Sequence, residues 1–171
     1  MNTESPDSKP TIPSPRPAIP HFGSLLAFGA KLAEKMGALV VGDGLDPKTQ
    51  VGPLIDEAAQ EKVTELVANA IGAGASVLTG GSAPQMPGYF FTPTVLTGVS
   101  PEAKMAREEI FGPVAPLTPF RTEAEAIEKA NDTEFGLVAY VYTNDLRRAL
   151  RVAEAIESGM VGLNQGVVSN P

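Results

Sequence analysis

Val114-Ala115-Pro116-Leu117-Thr118-Pro119-Phe120-Arg121-Thr122-Glu123-Ala124-Glu125 changes character midway, from an extended run to a helix start. Val114 to Phe120 reads as a strand. Thr122 followed three positions on by Glu125 is a capping box, in which the hydroxyl and the carboxylate each satisfy a free backbone N–H. The helix it opens runs to about Ala130. The same order then recurs. Val138 to Tyr142 predicts a strand, and a helix from about Asp145 to Glu157 buries Leu146, Ala149, Leu150 and Ala153 and stops near Gly159. Met160 to Leu163 follows as another strand. Strands alternating with helices predict an α/β fold, a mostly parallel sheet flanked by helices.

Working upstream, Leu25, Phe28, Leu32 and Met36 fall at helical spacing, with Ser24 as the expected cap and Gly37 as the stop. The apolar run Ala38 to Val41 leads into the turn Gly42-Asp43-Gly44-Leu45-Asp46-Pro47. Asp56 is the expected cap of a longer helix whose face is Val63, Leu66, Val67, Ala70 and Ile71 and which ends at Gly72 and Gly74. A strand at Ser76 to Thr79, a loop through Pro84 and Pro87, and an aromatic and β-branched stretch from Tyr89 to Val99 come next. Before all of this, Pro6, Pro10, Pro13, Pro15, Pro17 and Pro20 among Ser and Thr predict a disordered tail over residues 1–23, leaving 24–171 as the folded part. Glu4 and Asp7, with no apolar core behind them, are unlike a secretory signal. Ser169-Asn170-Pro171 follow a strand with no closing element, as expected of a truncated domain.

A chain of 171 residues, 43% hydrophobic and 19% charged, suits one soluble domain, and a net charge of −7 argues against nucleic acid and anionic membrane as partners. No run approaches the roughly 20 apolar residues that cross a bilayer, so the expected location is cytoplasmic. There is no cysteine, which excludes disulfides, thiolate metal sites and a cysteine nucleophile from these residues. The single His21 has no second His or carboxylate cluster beside it, so no metal site is expected. Gly-Lys-Ser/Thr is missing, which removes the phosphate-binding P-loop. Gly42-Asp43-Gly44 and Gly72-Ala73-Gly74 each begin like a dinucleotide fingerprint, but Pro47 and Val77 stand at the third glycine position. They read as turn and cap glycines.

Glu108 and Glu109 would ordinarily be a solvated pair at an element's end. Yet Glu108-Glu109-Ile110-Phe111-Gly112-Pro113-Val114 resembles a signature shared across the aldehyde dehydrogenase superfamily, and its surroundings agree in order and spacing. Upstream are Lys31-Leu32-Ala33-Glu34-Lys35-Met36, Val41-Gly42-Asp43-Gly44 and Gln50-Val51-Gly52-Pro53-Leu54-Ile55. Downstream are Ala130-Asn131-Asp132-Thr133, Phe135-Gly136-Leu137 and Gly159-Met160-Val161-Gly162-Leu163-Asn164. Gly166-Val167-Val168-Ser169-Asn170 looks most like the succinate-semialdehyde subgroup. The resemblance spans roughly Phe28 to Pro171.

That resemblance implies part of an aldehyde dehydrogenase catalytic domain, with NAD or NADP as cofactor and an aldehyde such as succinate semialdehyde as substrate. In the family a cysteine thiolate attacks the aldehyde, hydride passes to the cofactor, and a glutamate-activated water releases the acid. By the same resemblance Glu109 hydrogen-bonds the nicotinamide ribose, Phe111 packs near the nicotinamide ring, and Ser169 lies near the substrate's far carboxylate. The nucleophile, the general base, the oxyanion asparagine and the cofactor domain belong upstream of the matched region, so no catalytic residue is assigned here and the chain alone is expected to be inactive. An interaction module is the other expectation, pairing with an aldehyde dehydrogenase subunit or a complementary fragment through open sheet edges.

Overall fold

The computed structural model describes residues 22–168; Ser169 and the proline-rich stretch ahead of Phe22 lie outside the described residues. Helix α1 (Phe22–Gly37) begins ahead of Ser24, which therefore sits within the helix and does not cap it. It packs across β1 (Ser76–Thr79) and β2 (Thr94–Thr97). Gly29 lies against β1, since a Cβ there would come within 3.0 Å of Leu78 Cδ1. That contact turns Phe28 outward, 56% exposed, so the inward face runs through Leu25, Gly29, Leu32 and Met36.

Helix α2 (Glu57–Gly72) is built as its sequence indicates. The Asp56 carboxylate accepts the Ala59 N–H at 2.8 Å, filling one of the helix's orphan donors. At the other end, Ala75 N–H donates to Ala70 O and Gly74 N–H to Ile71 O, the paired bonds of a Schellman stop, with Gly74 at φ +101°. Between these caps Val63, Leu66, Val67 and Ala70 are buried against Phe91, Leu96, Val99, Ala103 and Met105. Each large side chain so buried contributes about 1.5–3 kcal/mol. Of the stretch Tyr89 to Val99 only Thr94–Thr97 is a regular strand; Phe90 and Phe91 enter the core from the chain leading into it.

β1 pairs antiparallel with β2, and β2 pairs parallel with β3 (Val114–Leu117) in the register Thr94↔Val114. Beyond β3 come α3 (Glu123–Asn131), β4 (Val138–Val141), α4 (Leu146–Ala155) and β5 (Met160–Leu163), with β4 and β5 parallel. Two of the three ladders are parallel, as the alternation implies. The strands divide, however, between a three-stranded sheet and a separate two-stranded one. The capping box also differs in one detail. Thr122 Oγ1 accepts the Glu125 N–H, but the Glu125 carboxylate reaches past Thr122 to the N–H of Arg121, at 2.7 Å.

The second half carries little core. Ala149 is its buried apolar side chain, while Leu137 and Leu146 are 74% and 72% exposed. Polar contacts hold it instead. Asn131 Nδ2 donates to Ala155 O and its Oδ1 accepts from Glu157 N–H, joining the ends of α3 and α4. Asn164, at φ +54°, prolongs the β4/β5 ladder: its Oδ1 accepts from Thr143 N–H and its Nδ2 donates to Thr143 O. Glu123 on α3 takes Arg151 and Arg148 of α4, and the hydrogen bond from Arg151 is the main cause holding its carboxyl below its ordinary value of 4.5. No described helix is long and apolar enough to cross a membrane.

Two predictions follow from these ends and contacts. Gly72 and Gly74 both have open space where a Cβ would go, but only Gly74 has positive φ. In urea titrations Gly72→Ala is expected to raise stability by about 0.4–1 kcal/mol and Gly74→Ala to lower it by about 1 kcal/mol or more. Because the folded-state pKa of Glu123 is depressed, its contribution is present above the unfolded value near 4.5 and lost as pH falls through the lower folded value. Glu123→Gln should therefore be less stable than the unaltered chain at pH 7, with the gap closing below pH 4.5 in thermal melts.

Candidate functional site

The segment from Arg107 to Val114 joins a 3₁₀ turn, Lys104–Ala106, to β3, and its backbone is tied down at short intervals. Lys104 O accepts from both Arg107 and Glu108 N–H at 2.9 Å. Lys104 is itself fixed to α2, where its N–H donates to Asn69 Oδ1 and its ammonium pairs with Glu65. That pairing lowers the Glu65 carboxyl and raises the Lys104 ammonium from their ordinary values, in each case chiefly through the hydrogen bond between them. Further along, Lys62 Nζ donates to the carbonyl of Glu109 at 2.7 Å, Gly112 O accepts from Val114 N–H, and Pro113 O accepts from Thr94 N–H.

These ties present two side chains outward. Ile110 points inward, packed against the core cluster. Phe111 stands at φ +48° with its ring 77% exposed. Positive φ in a bulky residue is an outlier, of order 1–3 kcal/mol of strain, and persists only where the surroundings over-determine it. Gly112 is one cause: a Cβ there would lie 2.7 Å from Val63 Cγ2, so the chain runs flush on α2. The Glu109 side chain is exposed, and among the described residues no hydrogen bond or ion pair takes up its carboxylate. An ionised carboxylate only accepts hydrogen bonds, so it suits a diol, and an exposed aromatic face beside it suits a flat heteroaromatic ring. These are the two side chains that the resemblance assigns to a nicotinamide riboside.

Glu109 and Phe111 are thus brought together on one loop, while Ser169 lies outside the described residues. An open groove of about 450 Å³ between Pro53–Ile55 and Met86–Phe90 contains none of the three. Among the described residues no group of three or more His, Cys, Asp or Glu is placed to hold a metal ion. Gly42-Asp43-Gly44 is a turn, with Leu45 N–H donating to Asp43 Oδ1, and Gly72 and Gly74 form the α2 stop. Lys62 was not legible from the sequence. It sits among Glu61 and Glu65 on the polar side of α2 and meets Glu109 across 47 positions; no local pattern marks such a contact.

The aldehyde dehydrogenase family profile matches residues 23–171. A succinate-semialdehyde dehydrogenase of Paenarthrobacter nicotinovorans is 53% identical over 143 residues, which are 84% of this chain and 32% of that protein. The NADP(+) succinate-semialdehyde dehydrogenase of Escherichia coli K12 is 52% identical over 84% of this chain and 30% of its own length. In three dimensions the succinate-semialdehyde dehydrogenase from Burkholderia pseudomallei superposes with a TM-score of 0.82 at 52% identity, covering 84% of this chain and 30% of that one. The chain therefore spans about a third of the length of the curated relatives it matches.

Gly112→Ala is expected to cost about 1–3 kcal/mol, because its methyl group must displace the fully buried Val63 or lift the loop. Gly52→Ala, with open space around it, serves as the control in the same urea titration.

Proposed function

Since the chain belongs to the aldehyde dehydrogenase family, we propose that its residues serve the NAD(P)-dependent oxidation of an aldehyde, of the succinate-semialdehyde type. The observation that carries this reading is the Glu108–Pro113 loop, which exposes the Glu109 carboxylate, without a partner among the described residues, and the side chain of Phe111, whose backbone is strained. The nicotinamide cofactor supplies the hydride acceptor when bound. Around it, the Glu109 carboxylate accepts hydrogen bonds from the ribose hydroxyls, and the Phe111 ring limits where the nicotinamide can lie. Lys62 restrains the Glu109 carbonyl so that the carboxylate projects from a fixed backbone. Orienting the ring in this way lowers the entropic part of the barrier to hydride transfer. Ser169 is assigned to the far carboxylate of the substrate on resemblance alone, and a cytoplasmic location belongs to the same proposal.

These 171 residues hold no cysteine. A covalent route through a thiohemiacetal needs a thiolate, so on this reading the chain by itself turns nothing over and the nucleophile comes from sequence beyond these residues. A second reading has the chain act as a non-catalytic module that pairs with an aldehyde dehydrogenase subunit or complementary fragment. The exposed Leu137, Leu146 and Tyr142 of the second half, with sheet edges left unpaired among the described residues, favour such pairing.

One assay separates the two. Absorbance at 340 nm follows succinate semialdehyde and NAD+ or NADP+ with the chain alone and with a cysteine-containing aldehyde dehydrogenase fragment. The expected result is silence alone and turnover in the mixture, with Glu109→Gln and Phe111→Ala each lowering it by an order of magnitude or more. A complex that forms without turnover points to the module, and turnover by the chain alone overturns the requirement for a thiolate.

A further inference from the structure

We infer that Arg107 and Asp132 are a positioning pair that sets the Glu109–Phe111 loop against the second half of the chain. The inference rests on the cofactor reading of that loop. Arg107 lies at the loop's root, two positions before Glu109. Its Nη1 and Nη2 donate to Asp132 Oδ1 and Oδ2 at 2.8 and 2.9 Å, and Nη1 donates again to the Asp132 carbonyl at 3.2 Å. The Asp132 carboxyl is held below its ordinary value by the hydrogen bonds from Arg107. Both side chains are more than half exposed, a setting in which a single-point ion pair contributes little. Here the contact is a two-pronged fork with a third bond, whose planarity fixes direction as well as distance.

The place of the fork matters more than its strength. Asp132 caps the C-terminal end of α3, where the helix dipole also favours a cation. Its neighbour Asn131 is bonded to Ala155 O and Glu157 N–H, and Gly159 N–H donates to Gly136 O just before β5. The fork thus grips the end of α3 at the residue next to Asn131, which ties α3 to the end of α4. Past β5 the backbone folds back, bringing Val168 to within 2.8 Å of where a Gly162 Cβ would be. The other side-chain ties at the loop and its root, from Lys62, Asn69 and Glu65, come from α2, and the backbone bond to Pro113 comes from β2, all in the first half. The two sheets share no ladder. The fork therefore sets the spacing between the cofactor loop and the segment that leads to Ser169.

Because the chain has no cysteine, exposed positions in each half can be labelled without background. Spin labels at Glu61→Cys on α2 and Glu154→Cys on α4 report the spacing of the halves as a pulsed-EPR distance distribution. The expected result is one narrow distribution in the otherwise unaltered chain, at least twofold broader with Asp132→Ala. Arg107→Ala, which leaves α3 intact, should broaden it equally, and Asp132→Glu should return most of the narrowing. Distributions in both alanine variants as narrow as in the parent overturn the pair's role. These distances need no cofactor, so a failed cofactor reading shows separately, as complemented turnover indifferent to Glu109→Gln.

Discussion

The packing of α2 against Phe91 and Leu96 is the contact from which the rest of the architecture takes its position. Val63, Leu66, Val67 and Ala70 present one continuous apolar stripe, and the core residues that meet it come from β2, its approach and the 3₁₀ turn. The same helix also supplies the polar ties of the candidate site. Lys62 and Val63 are neighbours in sequence: Val63 leaves no room for a side chain at Gly112, and Lys62 fixes the Glu109 carbonyl. One turn of α2 therefore couples core and loop, so that a loss of packing under Val63 displaces the residues that would meet a cofactor. The strain at Phe111 persists because contacts on both sides of it hold it there.

The second half of the chain is organised on different terms. Its strands and helices bury little apolar surface against one another, and its shape depends on side-chain hydrogen bonds from Asn131 and Asn164 and on the Glu123 cluster. Exposed ion pairs contribute modestly and are screened by salt. Beyond the backbone ladder of β4 and β5, the asparagines do much of the joining, since their amides both donate and accept and so satisfy two backbone groups at once. Large apolar side chains left exposed on this half are the kind of surface that partner chains cover.

What the sequence disclosed follows the range of each interaction. The caps at Asp56 and Thr122, the Gly72–Gly74 stop and the α2 stripe of Val63, Leu66, Val67 and Ala70 are set within a few residues and were legible to within a residue or two, whereas of the face expected to be buried on α4 only Ala149 is buried, Leu146 and Leu150 facing out because no described element packs over them. Phe28 misled because spacing on α1 says which residues share a face, while Gly29 packing on Leu78 decides which face turns inward. The division into two sheets and the hold of Lys62 on Glu109 depend on partners tens of residues away. Glu109 and Phe111 are assigned through a resemblance carried by their neighbours; nothing in two adjacent acids, taken alone, separates a site from a solvated edge.

The loop's construction bears on how a partial enzyme surface can be meaningful at all. A site whose geometry depended on residues throughout a protein would leave Glu109 and Phe111 without defined positions here. Their backbone is instead fixed by groups between Lys62 and Val114, with Asp132 added from outside through its fork with Arg107. Preorganised acceptors and apolar faces do not have to be ordered again when a ligand arrives, and that advantage stays with whatever stretch of chain contains the whole set of ties. The thiolate chemistry has no comparable local basis in these residues. On the proposed reading, orientation of the cofactor ring and attack on the aldehyde would be separable contributions, the first resting on this loop and the second on a thiolate these residues do not hold.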